Sequence, residues 1–379
     1  MYKDIKRFQG DKKLNQTPIL VHHYCDGAYL ELRTDPDREF LVEFSEGSHI
    51  IYRSVLKGNM WSKLNKKYFM ETTCKLYEQG NLVYENTYSA KGKNVLISIN
   101  SNSLGDSLAW MPYAEEFRKK HECNVYLSTF MNDLFKDQYP EINFIQPGTR
   151  VDGLYAAYHI GWFYSENGEF DLNKNPHEFK SQPMQKSAAD ILGLDYVEIK
   201  PKLKIPDVVK KKKVGLGIHS TAQAKYWNNP TGWQEVSSYL KAKGYEVVIY
   251  SKEGDGYMGN KYPNGVTVFQ PGPIDKLIED MSTCEFFIGI GSGLSWLAWS
   301  LDIPVIMISG FSDIYTEPLN GITRVINKQV CNSCFNRARL DPADWNWCPD
   351  HKDTPRMFEC SKKITAQDVI NNIEKLNII

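Results

Sequence analysis

Long apolar runs are missing from this chain of 379 residues. No stretch approaches the roughly 20 apolar residues that a membrane-spanning helix needs, so membrane insertion is not expected. Excess charge is missing too: 45 basic side chains stand against 46 acidic ones, a formal net charge of −1. That balance argues against bulk electrostatic binding to nucleic acid or an anionic membrane. The opening residues, MYKDIKRFQGDKK, lack the apolar core of a secretory signal, which makes a cytoplasmic location the expectation. Internal repeats and low-complexity segments are absent. What is present, 42% hydrophobic and 24% charged residues, is the composition of an ordinary globular protein, and the length suits two or three domains.

The eight cysteines are unevenly placed. Cys25, Cys74, Cys123 and Cys284 are scattered singly, whereas Cys331, Cys334, Cys348 and Cys360 crowd together. In a large chain without a signal sequence, such clustering points to a metal rather than to disulfides.

Residues 1–92 hold short runs such as ILVHHY, EFLVEF, SHIIYRSVL and NLVYENTYSA, separated by turn signals, and read as a small antiparallel β domain. From Lys93 the pattern becomes strand–turn–helix–strand: NVLISIN (94–100), a helix over 107–121 with a charged outer face, NVYLSTF (124–130) and INFIQ (142–146). A helix over 182–194 precedes a Pro- and Lys-containing linker ending in Lys210–Lys213, which reads as solvated. A second alternating unit runs from VGLGIHS (214–220) to VIMISG (305–310), and an amphipathic helix over 365–377 closes the chain. Alternation of this kind predicts parallel α/β sheets, here two nucleotide-fold lobes facing a cleft. The expected division is 1–92, 93–208, 209–330, a metal finger at 331–361 and a terminal helix at 362–379.

Three strand-to-helix turns carry chemistry, because open α/β sheets bind ligands at the carboxyl ends of their strands. Ser101–Ser107 places Asp106 either as a cleft carboxylate or as a helix N-cap, roles that can coexist. Ser220 and Thr221 open the second turn, where Lys225 supplies the localised positive charge that a departing diphosphate needs. In the third, Gly291, Ser292, Gly293, Leu294 and Ser295 form a small-residue turn whose backbone N–H groups can approach phosphate at a helix start. Its spacing is not the dinucleotide fingerprint. The fourth motif, Cys331-x2-Cys334-x13-Cys348-x11-Cys360, has the form of a closed four-thiolate site for structural zinc, with iron as the alternative. His351 stands close enough to Cys348 to replace Cys360 as a ligand.

Taken in order, SNSLGDSLAWMPYAEEF (101–117), HIGWF (159–163), STAQAKYWNNPTGWQEV (220–236), GIGSGLSWLAWSLDIPV (289–305) and the cysteine segment 331–360 resemble the bacterial autotransporter heptosyltransferases. These are protein O-glycosyltransferases related to the lipopolysaccharide heptosyltransferases. The resemblance implies a GT-B fold with two Rossmann-like lobes, a barrel-like N-terminal β domain and an iron-binding four-cysteine finger. It also implies a dodecameric ring, an ADP-heptose donor and serines of an autotransporter passenger as acceptors. Asp106 falls on the family's catalytic aspartate, Lys225 on its diphosphate lysine, and Ser292–Ser295 on its phosphate-facing turn. Glu253, after the strand YEVVIYS, is a weaker match for the adenosine ribose. Iron replaces zinc as the expected metal. The alternatives are a heptosyltransferase acting on lipopolysaccharide or another glycan, and a non-enzymatic module that grips a partner through the finger.

Overall fold

The computed structural model describes residues 5–7 and 19–376. Contacts divide the chain into two compact units: residues 1–102, 110–178 and 185–197 form the first, and 103–109, 179–184 and 198–379 the second.

In the first unit, β4 (Glu39–Glu46), β5 (His49–Lys57), β7 (Thr72–Glu78) and β8 (Asn81–Thr87) make an open antiparallel sheet in the order β5-β4-β7-β8. Its second strand alternates, turning Phe40, Val42 and Phe44 inward, as a half-buried strand must. The larger sheet is mixed. It combines β1 (Ile5–Arg7), β2 (Ile19–Cys25), β3 (Tyr29–Arg33) and β6 (Trp61–Lys63) with β9 (Asn94–Ile99), β10 (Asn124–Ser128), β11 (Asn143–Ile145) and β12 (Leu154–Ile160). Its path is β11-β10-β9-β12-β2-β3-β6, with β1 on β2, parallel from β11 to β2 and antiparallel beyond.

Residues 1–92 therefore build no closed barrel of their own among the described residues: β2 crosses the expected boundary and pairs in parallel with β12, Tyr24 opposite Ala156. The reason lies in the run ILVHHYC, buried on both faces at nearly every position, which suits a parallel interior strand better than a solvated edge. Between these sheets' strands come α1 (Leu104–His121) and α2 (Asn132–Phe135). The outer face expected to be charged on α1 is confined to its last turns, since Ser107–Glu115 is buried throughout.

After α3 (Met184–Ile191), the second unit holds an all-parallel sheet in the order β15-β14-β13-β16-β17-β18. Its elements are β13 (Lys213–Gly217), α4 (Gly232–Ala242), β14 (Glu246–Ile249), β15 (Thr267–Val268), α5 (Ile274–Ser282), β16 (Phe286–Ile290), α6 (Gly293–Ser300), β17 (Val305–Ile308), β18 (Ile322–Val325), α7 (Glu359–Lys362) and α8 (Ala366–Lys375). The central strands β13 and β16 are buried at every residue, as sheets covered on both faces require. α8 opens with a capping box in which Thr365 and Asp368 exchange hydrogen bonds, and it buries Val369 and Ile373 beside Val236 and Leu240 of α4. One lysine of the linker departs from expectation. Lys213 begins β13, is only 3% exposed, and pairs with Asp280 at 2.9 Å. Its position in a buried strand leaves its ammonium no water, so α5 supplies the counter-charge.

Candidate active site and metal centre

The second sheet changes direction between β13 and β16: β14 and β15 lie on one side, β17 and β18 on the other. At such a switch point the loops leaving neighbouring strands part and open a crevice for a ligand. The loops that leave β13 and β16 are the two expected to hold a diphosphate.

After β16, Ser295 Oγ returns a hydrogen bond of 2.7 Å to the Ile290 carbonyl and fixes the tight entry into α6. Ser292 is the N-cap residue by position, in extended backbone, yet its side chain caps nothing, and its buried Oγ has no partner. Among the described residues, the N–H groups of Gly293 and Leu294 have no intramolecular acceptor. These donors, at the positive end of the helix, are the kind of anion seat that the sequence predicts.

Asp106 lies in the first turn of α1, third in the helix rather than at the cap. The segment 103–109 belongs to the second unit, and it touches the start of α6: a Cβ added to Gly293 would lie 3.0 Å from Leu104 Cβ and 3.1 Å from Gly105 N. A Cβ added to Gly105 would touch Gly293 Cα and Trp296. Glycine at both positions thus lets the two helix starts come together and brings half-buried Asp106 toward the 291–295 turn.

Lys225 ends a short 3-10 turn after β13. Its Nζ sits 5.4 Å from the centroid of Phe311 and makes no hydrogen bond or ion pair among the described residues. Burial pushes its ammonium below the ordinary lysine value, and the carboxylates of Asp106 and Glu317 act against that shift. The structure therefore brings Asp106, Lys225 and the 291–295 turn to one place. Two members of this cluster, Phe311 and Glu317, escape the sequence reading, because they sit in an irregular loop with no motif. Glu317 is 7% exposed, pairs with Arg324, and accepts from Ser312 Oγ at 2.9 and 3.1 Å.

The other expected donor-side residues have local partners of their own. Thr221 is exposed, and half-buried Ser220 accepts at its carbonyl from Tyr226. Glu253 accepts from Ser251 Oγ at 3.2 Å, which in turn meets His219 Nδ1 at 2.8 Å. This places Glu253 in the loop after β14, beside His219 and Tyr262, whose hydroxyl donates to the Glu253 carbonyl at 2.5 Å.

The cysteine segment packs under the same loops. Cys334 and Cys348 share an apolar cluster with Ala224, Phe311, Trp347 and Phe358. Ser333 adopts a left-handed conformation in the Cys331–Cys334 knuckle and donates its N–H to Gly310 at 2.8 Å. Cys331, Cys334 and Asp350 place their ligand atoms within 4.8 Å of one another. Asp350 is a neighbour that the spacing did not predict, and it is already paired with Arg337. Cys348 and Cys360 lie outside that tight group, although burial and the nearby Cys334 and Cys348 push the Cys360 thiol up to about 12. His351 Nε2 faces Glu359 at 3.7 Å and does not join the group. Two thiols and a carboxylate within 4.8 Å of one another are a donor set that can hold a metal ion, and the thiol pair suits a thiophilic one.

Residues 165–341 match glycosyltransferase family 9 (heptosyltransferase). The autotransporter heptosyltransferase TibC of Escherichia coli O78:H11 is 38% identical over 94% of this chain and 90% of its own length. This chain is an autotransporter heptosyltransferase. BAHTCr of Citrobacter rodentium, another autotransporter heptosyltransferase, is 35% identical, with 94% of this chain and 89% of BAHTCr covered. The crystal structure of TibC, the iron-containing dodecameric glycosyltransferase of enterotoxigenic E. coli H10407, superposes with a TM-score of 0.87 at 33% identity, covering 100% of this chain and 99% of TibC. TibC has also been solved in complex with ADP-D-β-D-heptose, and that structure superposes at 0.86 with 33% identity over 99% of this chain and 98% of TibC. The family is thus a glycosyltransferase family, and no helix among the described residues of this member is long and apolar enough to cross a membrane.

Proposed function

We propose that this heptosyltransferase transfers heptose from ADP-heptose to serine hydroxyls of an autotransporter passenger, with inversion at the anomeric carbon. The observation that carries this reading is the cluster of Asp106, Lys225 and the unpaired N–H groups at the start of α6. A nucleoside diphosphate leaving group needs a cation and backbone donors, and a hydroxyl nucleophile needs a base nearby.

In this mechanism the serine oxygen attacks the anomeric carbon, and its proton passes to the Asp106 carboxylate. The bond from that carbon to the β-phosphate oxygen breaks, and its electron pair leaves with ADP. Lys225 and the N–H groups of the 291–295 turn take up the charge that develops on the diphosphate. Glu253, Ser220 and Thr221 are assigned to the nucleoside side of the donor. The wider reading is a GT-B enzyme whose cysteine segment, through Cys331, Cys334, Cys348 and Cys360, holds iron, with zinc the alternative. When bound, the ion supplies a structural crosslink. Assembly into a dodecameric ring and residence in the cytoplasm belong to the same proposal.

Incubation with ADP-heptose and an autotransporter passenger, followed by intact-mass and peptide analysis, tests it. The expected result is heptose mass on passenger serines. Labelling of lipopolysaccharide with none on protein would replace it with the glycan reading.

A further inference from the structure

His219 follows β13 and is 5% exposed, its ring packed among those of Tyr226, Tyr257 and Tyr262 at centroid distances of 5.8, 5.7 and 5.7 Å. β13 and β14 pair in parallel as far as Leu216 and Ile249, so the residues that follow them leave the sheet side by side. That register brings His219 to Ser251, with Nδ1 2.8 Å from the hydroxyl. Ser251 in turn grips Glu253 at two points: its hydroxyl donates to Oε2 at 3.2 Å and accepts the Glu253 N–H at 3.1 Å. Tyr262 holds a third point by donating its hydroxyl to the Glu253 carbonyl at 2.5 Å. A serine hydroxyl has one proton and a carboxylate can only accept it, so Nδ1 carries the ring hydrogen and donates to Ser251. The chain of hydrogen bonds thus runs from the His219 ring through the Ser251 hydroxyl to the Glu253 carboxylate. It leaves the two carboxylate oxygens unlike. Oε2 is held from inside, while Oε1 meets only the Lys252 ammonium at 3.8 Å among the described residues, and that side chain is 85% exposed.

We propose that His219 and Ser251 are positioning residues for the donor: together they set the Glu253 carboxylate so that Oε1 accepts from the ribose hydroxyls of ADP-heptose. This role rests on Glu253 lying on the nucleoside side of the donor. An acidic residue past the second strand of a nucleotide-binding α/β unit is where ribose hydroxyls are held, and Glu253 stands there, in the loop after β14. A loose glutamate would lose rotamer freedom on meeting a hydroxyl. Here the fold has already fixed the side chain, so little of that cost falls on binding. The same arrangement makes the site selective, because a nucleotide without ribose hydroxyls forfeits the hydrogen bond to Oε1.

The test is a ratio of affinities, for ADP and for dideoxy-ADP, in which both ribose hydroxyls are missing, measured by calorimetry on the full chain. Wild type prefers ADP about tenfold, the worth of a hydrogen bond to a charged group. Glu253→Ala lowers that ratio to about one. Ser251→Ala and His219→Leu lower it to about threefold by weakening ADP alone, with dideoxy-ADP bound as in wild type. His219→Asn, whose amide N–H can replace the Nδ1 hydrogen, restores the wild-type ratio. A merely structural defect weakens both nucleotides alike and leaves the ratio unchanged. An unchanged ratio in Ser251→Ala and His219→Leu, beside a lost one in Glu253→Ala, therefore overturns the positioning role and leaves Glu253 on the ribose. Ser251→Ala carries the test by itself if the leucine variant does not fold. A wild-type ratio retained in Glu253→Ala, or no preference in wild type, takes the ribose from Glu253 and overturns both readings.

Discussion

Asp106 sits three residues into a helix whose next nine positions are buried, so its backbone cannot drift and its carboxylate is held by the fold rather than by the loop before it. An asparagine there preserves shape and some hydrogen bonding but cannot accept a proton. Asp106→Asn is expected to lower heptose transfer by about 10²–10⁴-fold, the range that a positioned base contributes, while ADP affinity stays near wild type. Single-turnover transfer assays beside ADP calorimetry check both halves. Asp106 and Lys225 could be proposed from sequence because each follows a strand at a position where open sheets bind ligands. The placement of Glu317 could not be, since it follows from the space beside Gly291, and nothing in the run TEPLNG announces that neighbour.

At the scale of elements, the start of α6 depends on Gly293 twice. It gives a bare N–H, and it lets Leu104 and Gly105 approach to van der Waals distance. Gly293→Ala forces these helix starts apart by a few tenths of an ångström. A charge-assisted hydrogen bond is worth about 1.5–3 kcal/mol, so losing one should weaken ADP binding roughly tenfold or more, measured by calorimetry. The cysteine knuckle is a second shared element. Through Ser333 and Phe335 it hydrogen bonds to Gly310 and Phe311, and Trp345 accepts from Gln223 just before Lys225. Cys331→Ser with Cys334→Ser should abolish bound metal by elemental analysis and lower the thermal midpoint. Retention of the ion would remove these thiols from the ligand set. Spacing revealed the knuckle, because thiolates need a tight turn to share an ion. It could not reveal Asp350, which reaches the pair across 19 residues of irregular chain.

At the scale of the molecule, acid should be the weak side of stability. His23, His121, His159 and His219 all have ring pKa values lowered by burial, His121 to about 4. The His121 ring is neutral in the folded chain and protonated in the unfolded one between about 4 and 6.5, so its contribution is complete above 6.5 and is lost as pH falls. For half-buried His121, packed on Phe69 and Phe117, the effect is about 1–2 kcal/mol after allowance for solvent screening. Thermal midpoints at pH about 7.5 and 5 should differ, and His121→Phe should narrow the gap; an unchanged gap would exclude this ring as a source. If the dodecameric ring is formed, light scattering should return about twelve times the chain mass of 43.6 kDa.

By itself the sequence determined the kind of each element and the chemistry of the turns. Continuous apolar runs made β13 and β16 interior parallel strands, helical periodicity made α4 and α8 amphipathic, and the Cys331–Cys334 spacing brought two thiols within 4.8 Å of each other. These are local properties, readable from a dozen residues at a time. Tertiary structure alone decided which strands share a sheet, so that β2 joined β12 rather than closing a barrel, and that Lys213 met Asp280 instead of water. It also decided that a glycine just past one strand and a glutamate 26 positions later would share one space. Pairing and buried charge depend on residues far apart in the chain, and no local pattern carries that information.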